Sequence, residues 1–117
     1  MPAFPLTARL SKPEHYGRVF DAQEVSVSCR AFLLLACAAD TNYSRLGVIV
    51  AKKHVRLAHR RNRLKRLIRE QFRCNPPDLP LDMVVLARQH ADQLSNEEVF
   101  AALNRLWLQT HQQVVTV

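Results

Sequence analysis

Apolar positions along this chain change their period several times, and each change marks an element. Tyr16 and Phe20 stand four residues apart behind Pro13, which predicts a short helix over Lys12–Phe20. Ser11 or Lys12 is the candidate start. Val25–Ser28 alternates as a half-buried strand does. Ala31–Ala38 is apolar on both faces, the signature of a central strand covered on each side. Asp40-Thr41-Asn42 marks a turn, and Arg45–Ala51 is a further strand that runs directly into Lys52-Lys53. At about 100° per residue, Leu57, Leu64, Leu67, Ile68 and Phe72 gather on one side of a helix over Leu57–Arg73. Pro76-Pro77 ends it. Asp82–Arg88 predicts a fourth strand, and Ser95-Asn96-Glu97-Glu98 is a capping box opening a last helix with Val99, Phe100, Leu103, Leu106 and Trp107 on its core face.

The order is therefore helix, three strands, helix, strand, helix (αβββαβα), which predicts an α/β two-layer sandwich. With 117 residues, 48% of them apolar, the chain suits one domain over 1–117 with its core in about 9–110. There is no internal repeat and no dividing linker. Only Gly17 and Gly47 are glycine, too few for a glycine-rich phosphate loop.

Charge adds a partner class. Seventeen Lys and Arg against ten Asp and Glu give a formal charge of +7, which attracts polyanions. A membrane is the poorer candidate, because no apolar run approaches the roughly 20 residues needed to span one. Met1–Leu10 also lacks the pattern of a secretory signal. Cys29, Cys37 and Cys74 form no CxxC pair and are expected to be reduced thiols in a cytoplasmic protein.

Eleven of the 17 cations lie between Arg45 and Arg73: Arg45, Lys52, Lys53, Arg56, Arg60, Arg61, Arg63, Lys65, Arg66, Arg69 and Arg73, with Glu70 the one acid among them. A solvated helix face mixes signs, because opposite charges at i, i+4 support the helix. Here Arg60, Arg61 and Arg63 occupy the first turns, where the helix dipole disfavours each cation by roughly 0.3–1 kcal/mol. Cations beside free N–H groups make an anion site fit for phosphates. Tyr16 and Phe20 read either as core or as a platform for stacking unpaired bases. His15, His54, His59, His90 and His111 are scattered, and no carboxylate cluster or Ser/His/Asp set is legible, with Asp78 and Asp82 merely flanking a proline turn.

The stretch Arg45-Leu46-Gly47-Val48-Ile49-Val50-Ala51-Lys52-Lys53, followed by Arg61-Asn62-Arg63-Leu64-Lys65-Arg66-Leu67-Ile68-Arg69-Glu70-Gln71-Phe72-Arg73, resembles the signature of the bacterial ribonuclease P protein family. The early aromatic helix, the Arg30-Ala31-Phe32 strand entry and the strand ending in Ala87-Arg88 match in order, so the resemblance spans about residues 9–108. It implies the αβββαβα sandwich with the basic helix in a left-handed crossover, where general rules favour the right-handed form. It implies a non-catalytic protein subunit of an endoribonuclease, paired with a catalytic RNA that holds magnesium ions and removes the 5′ leader of precursor tRNA. No obligate protein partner is implied. By position, Arg61, Asn62, Arg63, Lys65, Arg66 and Arg69, with Lys52 and Lys53, correspond to the RNA-facing surface, and Arg45, Arg56 and Arg60 are added to it here by charge. Tyr16, Phe20, Leu35 and Lys53 correspond to a cleft for the single-stranded leader. Leu35 stands where many relatives have an aromatic, Ala51 replaces a common serine, and His54–Arg60 differs from the shorter, glycine-containing connection of many members.

Three rivals share parts of this pattern. An RNA-binding module of another particle would keep the basic helix without a leader cleft. A DNA-reading protein would place a second helix a short turn away, whereas a strand precedes this one. An independent nuclease would need clustered acids.

Overall fold

The structure, a computed structural model, describes residues 9–10, 12–77 and 79–116, with side chains to residue 113. Helix α1 spans Pro13–Ala22, with proline in its first turn and no side-chain cap on Lys12. Ser11 and Asp78 lie outside the described residues. Strands β1 (Val25–Ser28), β2 (Phe32–Ala38) and β3 (Arg45–Ile49) precede α2 (Ala58–Cys74); β4 (Leu81–Ala87), a 3-10 helix (Gln89–Gln93) and α3 (Asn96–Thr116) follow. The αβββαβα order expected from the sequence is present.

The four strands form one mixed sheet in the order β1-β2-β4-β3. β4 runs antiparallel to β2 and parallel to β3, so α2 carries the chain between two parallel neighbours. Side-chain alternation explains why β2 is apolar throughout. Phe32, Leu34 and Ala36 join the larger core under α2 and α3, while Leu35 and Cys37 join a smaller cluster with Leu10, Val19 and Val84 under α1. In the larger core Leu64, Ile68, Leu103 and Leu106 are completely buried, each stabilising by about 1.5–3 kcal/mol relative to exposure. Phe72 and Trp107 meet edge to face at 6.4 Å. The Trp107 indole N–H donates to the Asn75 carbonyl at 2.8 Å and pins the end of α2 to α3.

Three local expectations change. Leu57 is the N-cap of α2 and is exposed rather than part of its apolar stripe. β3 stops at Ile49, where its pairing with Leu86 ends, and the Ala51 carbonyl then accepts the His54 and Val55 N–H groups in a turn. The 3-10 helix has no apolar period to announce it, being five residues long. The capping box is present: Ser95 N–H donates to Glu98 at 2.9 Å and Glu98 N–H to Ser95 Oγ at 3.2 Å.

Candidate nucleic-acid interface

Helix α2 buries Leu64, Leu67, Ile68 and Phe72, and helical geometry then turns Asn62, Lys65, Arg66 and Arg69 away from the core. Asn62 and Arg66 are exposed, Lys65 and Arg69 half-buried. None of Lys65, Arg66 and Arg69 has an ion-pair partner among the described residues. Arg73 is paired with Glu70 one turn back.

The three early arginines behave differently from the expectation. Arg60 donates to the Asp92 carboxylate and, at 2.6 Å, to the Asp92 carbonyl. Arg61 donates to the carbonyls of Val55 at 3.1 Å and Arg56 at 2.8 Å. Arg63 reaches the Leu94 carbonyl at 2.6 Å and Asn96 Oδ1 at 3.0 Å. These side chains tie the start of α2 to the turn before it and to the entry of α3. Their unfavourable position against the dipole is offset by structural hydrogen bonds that engage part of each guanidinium, while Arg63 Nη1 is buried without a hydrogen-bond partner.

Arg45 is a plain correction. It is 7% exposed, and its guanidinium grips Asp82 at 2.9 and 2.7 Å and Asp40 at 3.0 Å, so it does not belong to an outward RNA-facing surface. Arg18 of α1 also pairs with Asp82 and donates to the Ala38 carbonyl at 3.1 Å. A fully buried carboxylate is thus held between two guanidiniums, and the hydrogen bond to Asp82 pushes the Arg45 pKa up. The register places Arg45 directly opposite Asp82.

On the α1 face the sheet presents successive rows. Cys37, Asp82 and Arg45 form one, Leu35, Val84 and Gly47 the next, and Leu33, Leu86 and Ile49 the third. Arg18 leans toward the first row. Tyr16 and Phe20 project from the opposite flank of α1 by helical spacing, and Tyr16 packs against the same small cluster as Leu33, Ile49 and Leu86. Leu33, Leu86 and Ile49 are only half-buried and make an apolar floor. Leu35 is 4% exposed beneath α1, so it supports this floor rather than lining a cleft, a second correction. Gly47 lets the Tyr16 ring lie on the strand: a Cβ there would come within 2.5 Å of the ring. Phe20 is 37% exposed, so the aromatic pair divides between packing and surface.

Strand β3 links the two surfaces: the Tyr16 ring lies on Gly47 on one face of it, and α2 packs against the same strand. Burial and the neighbouring Arg9 lower the Arg69 pKa. Beyond the third row, the chain leaves β3 into exposed Lys52 and Lys53, then Arg56.

The chain resembles known proteins in sequence and in fold. A family profile described as Ribonuclease P matches residues 4–111. The chain belongs to the ribonuclease P protein family. The ribonuclease P protein component of Marinobacter nauticus is 50% identical over 105 residues, covering 89% of this chain and 79% of that one. That of Photobacterium profundum is 44% identical over 106 residues, covering 90% and 89%. The Staphylococcus aureus RNase P protein superposes with a TM-score of 0.82 at 30% identity, over 88% of this chain and 94% of that one. The Thermotoga maritima RNase P protein gives 0.75 at 30%, over 85% and 94%.

For this ribonuclease P family member, sequence reasoning missed the Asp82 tie and the floor residues Leu33, Ile49 and Leu86. A lone acid in the apolar run Leu81–Ala87 is the signal for the first. The second needs strand register, which residue spacing alone does not supply. Among the described residues no three His, Cys, Asp or Glu side chains gather as a metal site, and no helix is long and apolar enough to cross a membrane.

Proposed function

We propose that this chain is the RNA-binding protein subunit of ribonuclease P, assisting removal of the 5′ leader from precursor tRNA. In this reading Lys52, Lys53, Arg56, Asn62, Lys65, Arg66 and Arg69 meet the catalytic RNA through its phosphates. Tyr16 and Phe20, above the Leu33–Leu86–Ile49 floor, receive the unpaired leader, with Lys53 at its edge. Stacking tolerates any base, which suits a strand of variable sequence. The RNA carries the hydrolysis together with magnesium ions that it holds itself. Arg60, Arg61 and Arg63 act as scaffold and only add to the field. The observation that carries the reading is the Tyr16 ring lying on Gly47 of β3, the strand that runs on into exposed Lys52 and Lys53 and so joins a base-stacking wall to a phosphate-binding ridge.

The test mixes the protein with a bacterial ribonuclease P RNA and a precursor tRNA at low magnesium. Accelerated leader removal is expected; no acceleration would sink the proposal, and cleavage by protein alone would favour an independent nuclease. Tyr16→Ala or Phe20→Ala should weaken discrimination between leader-bearing precursor and mature product, whereas Arg66→Ala should weaken affinity for the catalytic RNA.

A further inference from the structure

A cationic groove crosses the end of the sheet where β3 and β4 finish. Arg30, His54, Arg88, Gln89, His90 and Gln93 line a space of about 610 Å³ there, within the roughly 300–1,000 Å³ of small-ligand sites. They come from the β1–β2 turn, the turn after β3 and the 3-10 helix that follows β4, so the fold assembles them from three separate stretches. No carboxylate lines this space. In the neighbouring hollow, lined by His54, Arg56, Leu57, Gln89, Asp92 and Gln93, the one acid is Asp92, whose carboxylate is taken by Arg60. On the far side, Glu98 accepts the Ser95 N–H. Arg30 and Arg88 are exposed and have no ion-pair partner among the described residues. His90 Nδ1 is shielded from solvent and lacks a hydrogen-bond partner.

Strand geometry connects this groove to the apolar floor. Side chains alternate along β4, so Asp82, Val84 and Leu86 face α1, and Arg88, still extended at φ −100° and ψ 168°, falls on the same side one step beyond Leu86. A chain lying on Leu33, Leu86 and Ile49 therefore meets Arg88 next and the groove after it. The lining offers only hydrogen-bond donors or amphoteric amides and imidazoles, and forked guanidiniums suit phosphate oxygens.

We infer that this groove is a second anion site, holding the phosphodiester backbone of a single RNA strand where it leaves the apolar floor. The inference rests on the leader-binding reading and adds to it a further stretch of strand beyond the stacked bases. It commits the groove to backbone contact without base recognition.

The experiment measures binding of the protein to labelled single-stranded RNAs of about four and about twelve nucleotides, within the span of single-strand sites, across a salt series. The variants are Arg30→Gln with His90→Gln for the groove, and Tyr16→Ala for the floor. Arg30 is exposed and His90 half-buried, and thermal melting checks that the fold is retained. The parent should bind the long strand more tightly than the short one. The groove variant should lose most of that gain, bind the short strand as the parent does, and flatten the long-strand salt slope by about 0.7 for each phosphate contact removed. Unchanged binding of the long strand would overturn the inference, as would equal losses for both lengths. If short strands fail to bind and Tyr16→Ala changes nothing, the leader reading fails. The groove then stands only if its variant still weakens the long strand, and falls otherwise.

Discussion

Arginines on one helix divide into two classes here, and the division is measurable. Arg63 donates from Nε and Nη2 to Asn96 and Leu94, so Arg63→Ala should lower stability by about 1–2 kcal/mol, the order of its lost hydrogen bonds. Arg66, exposed on the outward face, should leave the urea midpoint within error when replaced by alanine, yet weaken binding to the catalytic RNA. Comparing denaturation and binding for both variants checks this; the same pattern in both would contradict it. Asp82 is fully buried and holds two guanidiniums. Asp82→Ala strands Arg45 in the interior beside Arg18 and should cost about 3–5 kcal/mol, read by urea unfolding. Elsewhere in the interior, Cys37 is a buried thiol whose pKa is raised, first by desolvation, with Arg18 opposing, which keeps it protonated and unreactive.

At the scale of elements, capping gives a prediction with a pH sign. The Ser95 N–H and hydroxyl hold the Glu98 carboxyl below its usual range. Because the folded value is depressed, the stabilisation is present above the unfolded carboxyl pKa of about 4.3 and is lost as pH falls through the lower folded value. Ser95→Ala should destabilise by about 1 kcal/mol at neutral pH and keep the backbone bond to Glu98, whereas the deficit of Glu98→Ala should narrow below about pH 4 in thermal melts followed by circular dichroism. Elements with long, regular patterns were legible in the chain: α2 from its stripe, β2 from its doubly apolar run, α3 from its box. What stayed hidden depends on distance. Arg60 and Arg63 meet partners more than 30 residues away, and nothing local in Arg60–Arg63 distinguishes a tie from a ligand. Arg45 looked like part of the basic run because its partner, Asp82, becomes visible only when β3 and β4 are set side by side. Position alone places Leu35 in the cleft, but α1 covers that rung and leaves the next one open.

For the molecule as a whole, the outward cations Lys52, Lys53, Arg56, Lys65, Arg66 and Arg69 set the electrolyte response. If all six meet phosphates, the logarithm of the affinity for the catalytic RNA should fall with the logarithm of salt at a slope of about −4 to −5. A filter-binding series between low and physiological salt would read it, and a slope near −1 would mean that most of these charges face solvent. The sheet order carries a consequence of another kind. β4 is inserted between β2 and β3, so a nascent chain halted before Leu81 has already exposed every cation of α2, yet β2 and β3 lack the neighbour that joins them. Such an unfinished product carries open backbone edges, prone to sticking to one another, beside a charged helix with nothing to fold onto. The ribosome must deliver the second-to-last segment before the molecule can close, and interruption there yields an aggregation hazard that still attracts nucleic acid.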